Sequence, residues 1–192
     1  KHPNWKMGKK ISIDSATMMN KVFETIEAQR IFNVSLNKFQ ILTHPNSYVH
    51  AIVKFNNGLT KILVHDTDMK IPIFNSIYDK SNKKIKSKNL DLNKLNNLNL
   101  NKIDTSRFPS VKIIKIIPSK ISLFETVLVS ANDELVSLFL NKKINFNEIV
   151  IYLKKILGMK IFLKLKKRSP KNYNELINLR DIVRLKTRTL CI

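Results

Sequence analysis

The sequence predicts an α+β fold in which a helix packs on a small, mostly antiparallel sheet and a helical bundle follows. Apolar segments between residues 39 and 65 alternate like strands around an Asn-Asn-Gly turn, and apolar residues beyond residue 108 mostly have helical spacing. A hydrophobic fraction of 43% over 192 residues can support a sizeable core. No apolar run is long enough to cross a membrane, so we expect no membrane partner.

The first elements are predicted to be a short strand and a helix. Residues 9–13 (KKISI) predict the strand, and Asp14 or Ser15 then supplies the oxygen that caps a helix running to about Phe32. Apolar residues at roughly helical spacing would face the core: Met19, Val22, Phe23, Ile26 and Ile31.

The polar side of this helix carries Asn20, Lys21 and Glu24. Residues three and four apart are neighbours on a helix surface, so Glu24 can share a site with both of the others. Ser15 would lie at the helix start, where free N–H groups and the helix dipole favour phosphate. One interpretation is a phosphate ester beside a cation site. The alternative is an exposed Lys21–Glu24 salt bridge, with Ser15 as a simple cap.

A small sheet is expected after this helix. Residues 39–44, 48–55 and 59–65 predict strands, and the Asn56-Asn57-Gly58 sequence predicts a hairpin turn because Asn and Gly tolerate positive φ. Residues 78–107 predict a long connection.

The C-terminal region is predicted to be mainly helical. Ser169 before Pro170 is a favourable helix start, whereas residues 160–168 alternate like a strand. Helices are expected over four ranges: 109–117, 124–142, 147–159 and 170–190. The predicted domains are 1–77, a connection over 78–107, and 108–192.

The charge of the chain is strongly positive. Thirty-five Lys and Arg residues against 14 Asp and Glu residues give a formal charge of +21. Such a charge is typical of nucleic-acid partners, but the lysines are spread among Asn and Ile, as A+T-rich codons would produce, and no nucleic-acid-binding motif occurs. We therefore expect no nucleic-acid partner.

The histidines and the cysteine do not predict a zinc site. The four histidines have no HxxxH spacing, and Cys191 is the single cysteine. By its residues alone, His50 is a strand residue with a satisfied hydrogen bond.

The run HPNWKMGKKISIDSATMMNK (2–21), followed by Glu24, Ile26 and Glu27, resembles the signature of the 1-deoxy-D-xylulose 5-phosphate reductoisomerase family. The resemblance continues through three further segments: HPNSYVHAIVKFNNG (44–58), DMKIPI (68–73), and SANDE followed by FL (130–140). It implies a catalytic-domain part with a flap and a substrate-binding helix, followed by a helical domain.

The resemblance implies an oxidoreductase and isomerase of non-mevalonate isoprenoid biosynthesis. Such enzymes rearrange 1-deoxy-D-xylulose 5-phosphate and reduce the product with NADPH to 2-C-methyl-D-erythritol 4-phosphate, and they require Mg²⁺, Mn²⁺ or Co²⁺. It also implies a homodimer through the catalytic-domain sheet. The chain has three glycines and no GxGxxG motif, and the two acidic partners of Glu24 are not in it. We therefore expect a fragment that does not turn over substrate alone.

The resemblance also assigns roles to residues of the first helix. Glu24 matches a carboxylate of the metal site that also touches the substrate, and with Lys21 it forms the expected catalytic pair. Ser15, Asn20 and Lys21 match positions that hold the phosphate and hydroxyl groups of the phosphorylated sugar. His2 matches a substrate-contacting histidine.

The remaining roles concern the flap and the cofactor. Trp5 and Met7 match the flap that covers the substrate and excludes water. Gly8 matches a backbone contact to NADPH. Met69 matches a methionine near the nicotinamide, although filling a core gap is the alternative. His50 matches a neighbour of the substrate pocket.

Departures from the family pattern leave alternatives open. Val22 stands where the family usually has glycine, and it could crowd the pocket or be absorbed by the helix. A decayed, non-catalytic remnant or a basic nucleic-acid-binding protein are the alternative functions. The composition fits the cytoplasm of a reduced bacterium or, alternatively, a relic plastid.

Overall fold

The computed structural model describes residues 7–78 and 82–191, which divide into two compact units. The first unit joins Met7–Gln40 to the part of the chain that begins at Asp104, and the second contains Ile41–Ile103. This division differs from the predicted domain ranges, because residues 7–40 pack with the C-terminal helices rather than with the strands that follow them in sequence.

Eight helices and four strands occur among the described residues. In chain order they are α1 (Lys9–Ala16), α2 (Met19–Phe32), β1 (Leu42–Thr43), β2 (Val49–Lys54), β3 (Thr60–Val64), α3 (Lys70–Ile77), α4 (Leu92–Asn96), β4 (Asn101–Lys102), α5 (Leu123–Leu140), α6 (Phe146–Leu157), α7 (Lys160–Leu163) and α8 (Tyr173–Cys191). Three 3₁₀ segments cover Leu36–Lys38, Pro109–Ile116 and Lys164–Lys167. The predicted α+β class with a helical C-terminal part is confirmed.

Helix α5 lies at the centre of the first unit and packs against α1, α6 and α8. Its buried side chains include Phe124, Leu128 and Leu135, which are fully excluded from solvent. Burying one such side chain contributes about 1.5–3 kcal/mol, so this helix is a main source of stability. The sequence predicts it at 124–142, and a capping box formed by Ser122 and Glu125 starts it at Leu123.

Helix α2 contributes two residues to the same core. Met19 and Val22 are fully buried, and Phe23 and Ile26 pack partly against them. Val22 is therefore absorbed by the core and does not crowd the polar side of the helix. Ile31, predicted to be a core residue, is 66% exposed, because it lies on a different side of α2 from the buried Met19 and Val22.

Two predicted strands are helical instead. Residues 9–13 belong to α1, and residues 160–168 contain α7 and a 3₁₀ turn. Neither segment meets a partner strand among the described residues. The side chain of Phe162 is 2% exposed and packs in the helical core, which an extended segment beside a helix could not achieve equally well.

The start of α8 was also predicted wrongly. The helix begins at Tyr173, where the Oδ1 atom of Asn172 accepts a hydrogen bond from the Glu175 N–H at 2.9 Å. Ser169, the predicted cap, instead donates to the carbonyl oxygen of Ile121 at 3.1 Å. Ser169 thus fixes the preceding loop and does not cap the helix.

The second unit contains two small antiparallel sheets. Strands β2 and β3 form the predicted hairpin, and Gly58 occupies the turn with a φ of 88°. Strand β1 pairs with β4, so residues 39–44 supply only a two-residue strand. The predicted connection over 78–107 contains α4, which Asp91 caps by accepting from the Lys94 N–H at 3.1 Å.

Two ion pairs tie the helices of the first unit together. Arg30 at the end of α2 contacts the Glu125 carboxylate and donates to the carbonyl oxygen of Pro118 at 3.0 Å. Glu134 on α5 is 6% exposed and accepts from the Nε atom of Arg188 on α8 at 2.6 Å. No helix among the described residues is long and apolar enough to span a bilayer.

The central position of α5 predicts a strong dependence of stability on Leu128. Leu128→Ala should lower the free energy of unfolding by about 2–5 kcal/mol, because it leaves a cavity in the core. Val129→Ala, on the adjacent position that is 43% exposed, should change it by less than about 1 kcal/mol. Urea denaturation followed by circular dichroism measures both. Equal losses in the two variants would contradict this packing.

Candidate functional site

The polar face of α2 brings together two of the predicted catalytic residues. The Nζ atom of Lys21 lies 2.8 Å from the Oε2 atom of Glu24, and both side chains are largely exposed. As an isolated feature, this pair is the surface salt bridge that the sequence offered as the alternative. The hydrogen-bonding groups near this pair determine whether it can also take part in ligand binding.

The N terminus of α2 is not capped by the side chain of its first flanking residue. Met18 enters the helix in the left-handed conformation, with a φ of 61°, and its side chain makes no capping hydrogen bond. The first N–H groups of a helix have no partner within the helix. The buried Oδ1 atom of Asn20 also lacks a partner among the described residues. This end of α2 can therefore bind a polar, anionic group.

Ser15 does not cap a helix, contrary to the prediction. It lies in the last turn of α1, and its carbonyl oxygen accepts from the Met18 N–H at 3.1 Å. The tight turn at residues 17–18 then leads directly into α2. The positive end of a helix dipole near Ser15 is therefore that of α2, which begins three or four residues later than predicted.

Asp14, the alternative predicted cap, instead lies within the span of α1, and it is buried, with 3% of its surface exposed. Its carboxylate accepts a hydrogen bond from the Asn132 amide at 2.8 Å and lies 2.5 Å from the Lys10 ammonium. Lys10 also lies 3.0 Å from a carboxylate oxygen of Asp133. We call these four residues the α1–α5 polar cluster.

The α1–α5 polar cluster changes the titration of Lys10. Burial acts to lower the pKa of the ammonium, but hydrogen bonds and charge attraction from Asp14 and Asp133 outweigh it and raise the pKa above 10.5. The lysine therefore stays charged beside the two carboxylates.

Two further predicted site residues lie in the second unit. The register of β2 and β3 shifts between Val49 and Ala51, which places His50 at an irregularity of the hairpin. The His50 ring stacks on that of His65 with centroids 3.6 Å apart, and its Nε2 atom lies 3.0 Å from the His65 carbonyl oxygen. Met69 precedes α3 and is 55% exposed, so it does not fill a core gap.

The remaining predicted residues precede α1. Gly8 lies at the N-terminal end of α1, and an added Cβ atom there would meet nothing within 4 Å. Its surroundings thus leave room for close approach of a ligand to the backbone. Met7 is half-buried, whereas His2 and Trp5 lie outside the described residues.

The described residues fit part of a metal site. Glu24 supplies a hard carboxylate oxygen, which suits Mg²⁺ or Mn²⁺. No group of three or more His, Cys, Asp or Glu side chains comes together within residues 7–78 and 82–191. The region therefore fits the contribution of one carboxylate to a site that needs further ligands.

The first unit also contains a cavity of about 290 Å³ that holds none of the predicted site residues. It lies between the end of α1, residues 106–109 and α6, and its walls are mainly apolar. Neither Lys21 nor Glu24 lines it, so it is separate from the candidate site.

Comparison with known families decides the affiliation of the chain. Residues 65–186 match the DXP reductoisomerase C-terminal domain, and residues 1–32 match the 1-deoxy-D-xylulose 5-phosphate reductoisomerase C-terminal domain. This chain belongs to the 1-deoxy-D-xylulose 5-phosphate reductoisomerase family. The resemblance inferred from residues 2–21 is confirmed.

Curated reductoisomerases give the extent of the similarity. The chain is 60% identical to the Pelagibacter ubique protein over 192 residues, which is all of this chain and 50% of that protein. It is 39% identical to the Persephonella marina protein over 176 residues, which cover 92% of this chain and 46% of that protein. The chain spans about half the length of the curated relatives that it matches.

Reductoisomerase structures have the same fold. A crystal structure in complex with NADPH, fosmidomycin and magnesium matches with a TM-score of 0.88 at 31% identity, covering 100% of this chain and 48% of the other. The Zymomonas mobilis reductoisomerase in complex with NADPH matches with a TM-score of 0.82 at 31% identity, covering 95% and 47%.

Sequence reasoning missed the α1–α5 polar cluster. Its signal was available in α5, where Asn132 and Glu134 interrupt an otherwise apolar run and are both buried. A polar residue at a buried position needs a partner on another element. The identity of that partner, Asp14, could not be read from a separation of 118 residues.

The raised pKa of Lys10 predicts a pH-dependent contribution to stability. A group whose pKa is raised by folding stabilises the fold below its unfolded pKa and loses this contribution as pH rises through its folded pKa. The stability difference between wild type and Lys10→Met should therefore stay constant below about pH 10 and shrink above it. Urea denaturation at a series of alkaline pH values measures this difference.

Lys10→Arg is the matched control, because a guanidinium stays charged throughout this range. The difference between Lys10→Arg and Lys10→Met should persist at the highest pH. If the stability difference between wild type and Lys10→Met does not shrink at high pH, the assigned role of the Lys10 ammonium is wrong.

Proposed function

We propose that this chain is the substrate- and metal-binding part of an enzyme that converts 1-deoxy-D-xylulose 5-phosphate to 2-C-methyl-D-erythritol 4-phosphate with NADPH. Membership of the reductoisomerase family supports the reaction. The single observation that carries the local assignment is the uncapped start of α2, beside the unpartnered Asn20 oxygen and the Lys21–Glu24 pair.

The phosphate of the sugar binds at the start of α2. The first N–H groups of the helix and the hydroxyl of Ser15 donate to phosphate oxygens, and the positive end of the dipole favours the negative charge. The Lys21 ammonium and the Asn20 amide bind hydroxyl and carbonyl oxygens of the substrate. These contacts orient the carbon skeleton before it rearranges.

Glu24 provides one carboxylate ligand for Mg²⁺, Mn²⁺ or Co²⁺. When bound, the divalent cation polarises oxygens of the substrate, and NADPH supplies the hydride for the reduction. Lys21 holds the Glu24 carboxylate on the exposed side of α2, at 2.8 Å, so the ligand is oriented in advance. The family resemblance supports a substrate contact for His2 and a flap role for Trp5 and Met7, whose expected effect is to exclude water.

The family resemblance also supports roles for His50, Gly8 and Met69. His50 is held by its contacts with His65 and contacts the substrate, whereas Gly8 and Met69 contact NADPH. The exposure of Met69 and the open space at Gly8 support the cofactor roles. Since the curated relatives are bacterial, we place the protein in a bacterial cytoplasm, and nothing in these relatives supports the plastid alternative.

The metal assignment predicts a loss of activity on Glu24→Gln. The change keeps the size of the side chain but removes the charge, so kcat/KM should fall by about 100-fold or more. The experiment follows NADPH oxidation by the full-length enzyme with 1-deoxy-D-xylulose 5-phosphate and Mn²⁺.

Glu27→Gln is the matched control, because Glu27 is exposed one turn further along α2. It should retain wild-type activity to within about threefold. An inactive wild-type enzyme with intact binding of NADPH would support a decayed remnant. An active Glu24→Gln variant would overturn the metal role.

The hairpin supports a homodimer. Strands β2 and β3 pair only with each other among the described residues, and they expose several apolar side chains: Ile52, Val53, Phe55, Leu59, Ile62 and Leu63. Exposed apolar side chains that lie together mark protein interfaces, and Ile52 and Ile62 are paired directly on one face of the hairpin. The full protein dimerises through this surface.

The dimer assignment predicts that Ile62→Lys raises the monomer fraction. A charge placed on the apolar surface would remain unpaired in the interface and weaken association by at least about tenfold. Sedimentation velocity of the full-length protein measures the effect. Asn56→Lys adds the same charge in the exposed turn of the hairpin, outside the paired strands, and it should remain dimeric. A monomeric wild-type protein would exclude this interface.

A further inference from the structure

The α1–α5 polar cluster joins α1 to α5, the helix at the centre of the helical core. Asp14 and Asn132 are 3% and 0% exposed, and the Asn132 amide donates to the Asp14 carboxylate at 2.8 Å. Lys10 lies 2.5 Å from Asp14 and 3.0 Å from Asp133. These contacts link two helices that are more than one hundred residues apart in sequence.

This cluster is not the most stable way to pack two helices. Burying a carboxylate and an amide costs desolvation, and apolar side chains of similar volume often stabilise a core equally well. The Oδ1 atom of Asn132 has no hydrogen-bond partner among the described residues, which adds to that cost. Such a cluster does, however, require one particular position of α1 on α5, since a shift of one residue would separate Asp14 from Asn132 and Lys10 from Asp133.

The position of α1 determines where the proposed phosphate site lies. Ser15 follows Asp14 directly, and the carbonyl oxygen of Thr17 accepts a hydrogen bond from the buried Ser110 hydroxyl. Met18 then turns the chain into α2. The segment from Asp14 to Thr17 is thus held at both ends, and a single tight turn connects it to α2.

We propose that Asp14 and Asn132 are positioning residues that hold Ser15 and the start of α2 in the geometry that binds the substrate phosphate. This inference rests on the proposed function. Neither residue touches the substrate; each acts through the placement of α1. Lys10 supports Asp14 by neutralising its charge, and it also lies 5.4 Å from the centre of the Phe23 ring on α2.

The test uses the full-length enzyme and a reciprocal exchange. Asp14→Asn removes the charge of the acceptor, and Asn132→Asp places two carboxylates against each other. Each should lower kcat/KM by about ten- to one hundredfold, mainly through a higher KM for 1-deoxy-D-xylulose 5-phosphate. The KM for NADPH should change little. The double variant restores one amide–carboxylate hydrogen bond in the opposite direction, and its substrate KM should return to within about threefold of wild type.

Glu134→Gln is the matched control for stability. Glu134 is a buried carboxylate on the same helix, but its partner is Arg188 on α8. The change should lower the melting temperature without raising the KM for the substrate. Asp14 and Asn132 variants that lose stability but keep the wild-type substrate KM would overturn the positioning role.

The outcomes also separate this inference from the proposed function. An inactive wild-type enzyme would overturn both, whereas an active wild type with unaffected Asp14→Asn and Asn132→Asp variants would overturn the positioning role alone. If either single variant fails to fold, the double variant decides: a folded double variant with a substrate KM raised by tenfold or more contradicts the proposal.

Discussion

The packing of α1 against α5, and of α2 against the 3₁₀ segment Pro109–Ile116, is the constraint on which the rest of the first unit depends. In the sequence, the whole second unit lies between residues 7–40 and the helices after Asp104, yet these two parts of the chain share one core. The entropy cost of closing so long an interval rises only slowly with its length. Burial of Met19 and Val22 against the C-terminal helices offsets that cost and leaves the polar side of α2 facing outward.

Because acidic residues are few and basic residues are many, the buried acidic residues have defined cationic partners. The chain has 14 acidic residues against 35 Lys and Arg residues, so an attractive partner is available for almost any carboxylate. Asp14, Glu125 and Glu134 are each placed against a cation, and each of these ion pairs lies at a helix contact. By contrast, Glu24 pairs at the surface, where a ligand can reach it. The distribution of acidic residues thus separates structural carboxylates from the proposed metal ligand.

Local signals predicted the elements whose ends are determined locally. The Asn56-Asn57-Gly58 sequence predicted the β2–β3 hairpin, and apolar periodicity predicted the bounds of α5 and α6 to within a few residues. The predictions were wrong for segments whose secondary structure depends on contacts with residues distant in sequence. The KKISI segment alternates like a strand, but it becomes helical because Lys10 and Asp14 meet Asn132 and Asp133 on α5. Residues 160–168 fold back as short helices because Phe162 enters the core.

The sequence by itself determined the family and the candidate residues Ser15, Asn20, Lys21 and Glu24, because a long run of specific side chains occupies consecutive positions. Helical spacing already predicted Val22 as a core residue, but only the tertiary structure decided that Asp14 is buried rather than a cap and that α2 starts after Met18. These outcomes depend on contacts with residues about one hundred positions away. Neither helical periodicity nor local capping rules contain that information, since both describe only interactions between neighbours in the chain.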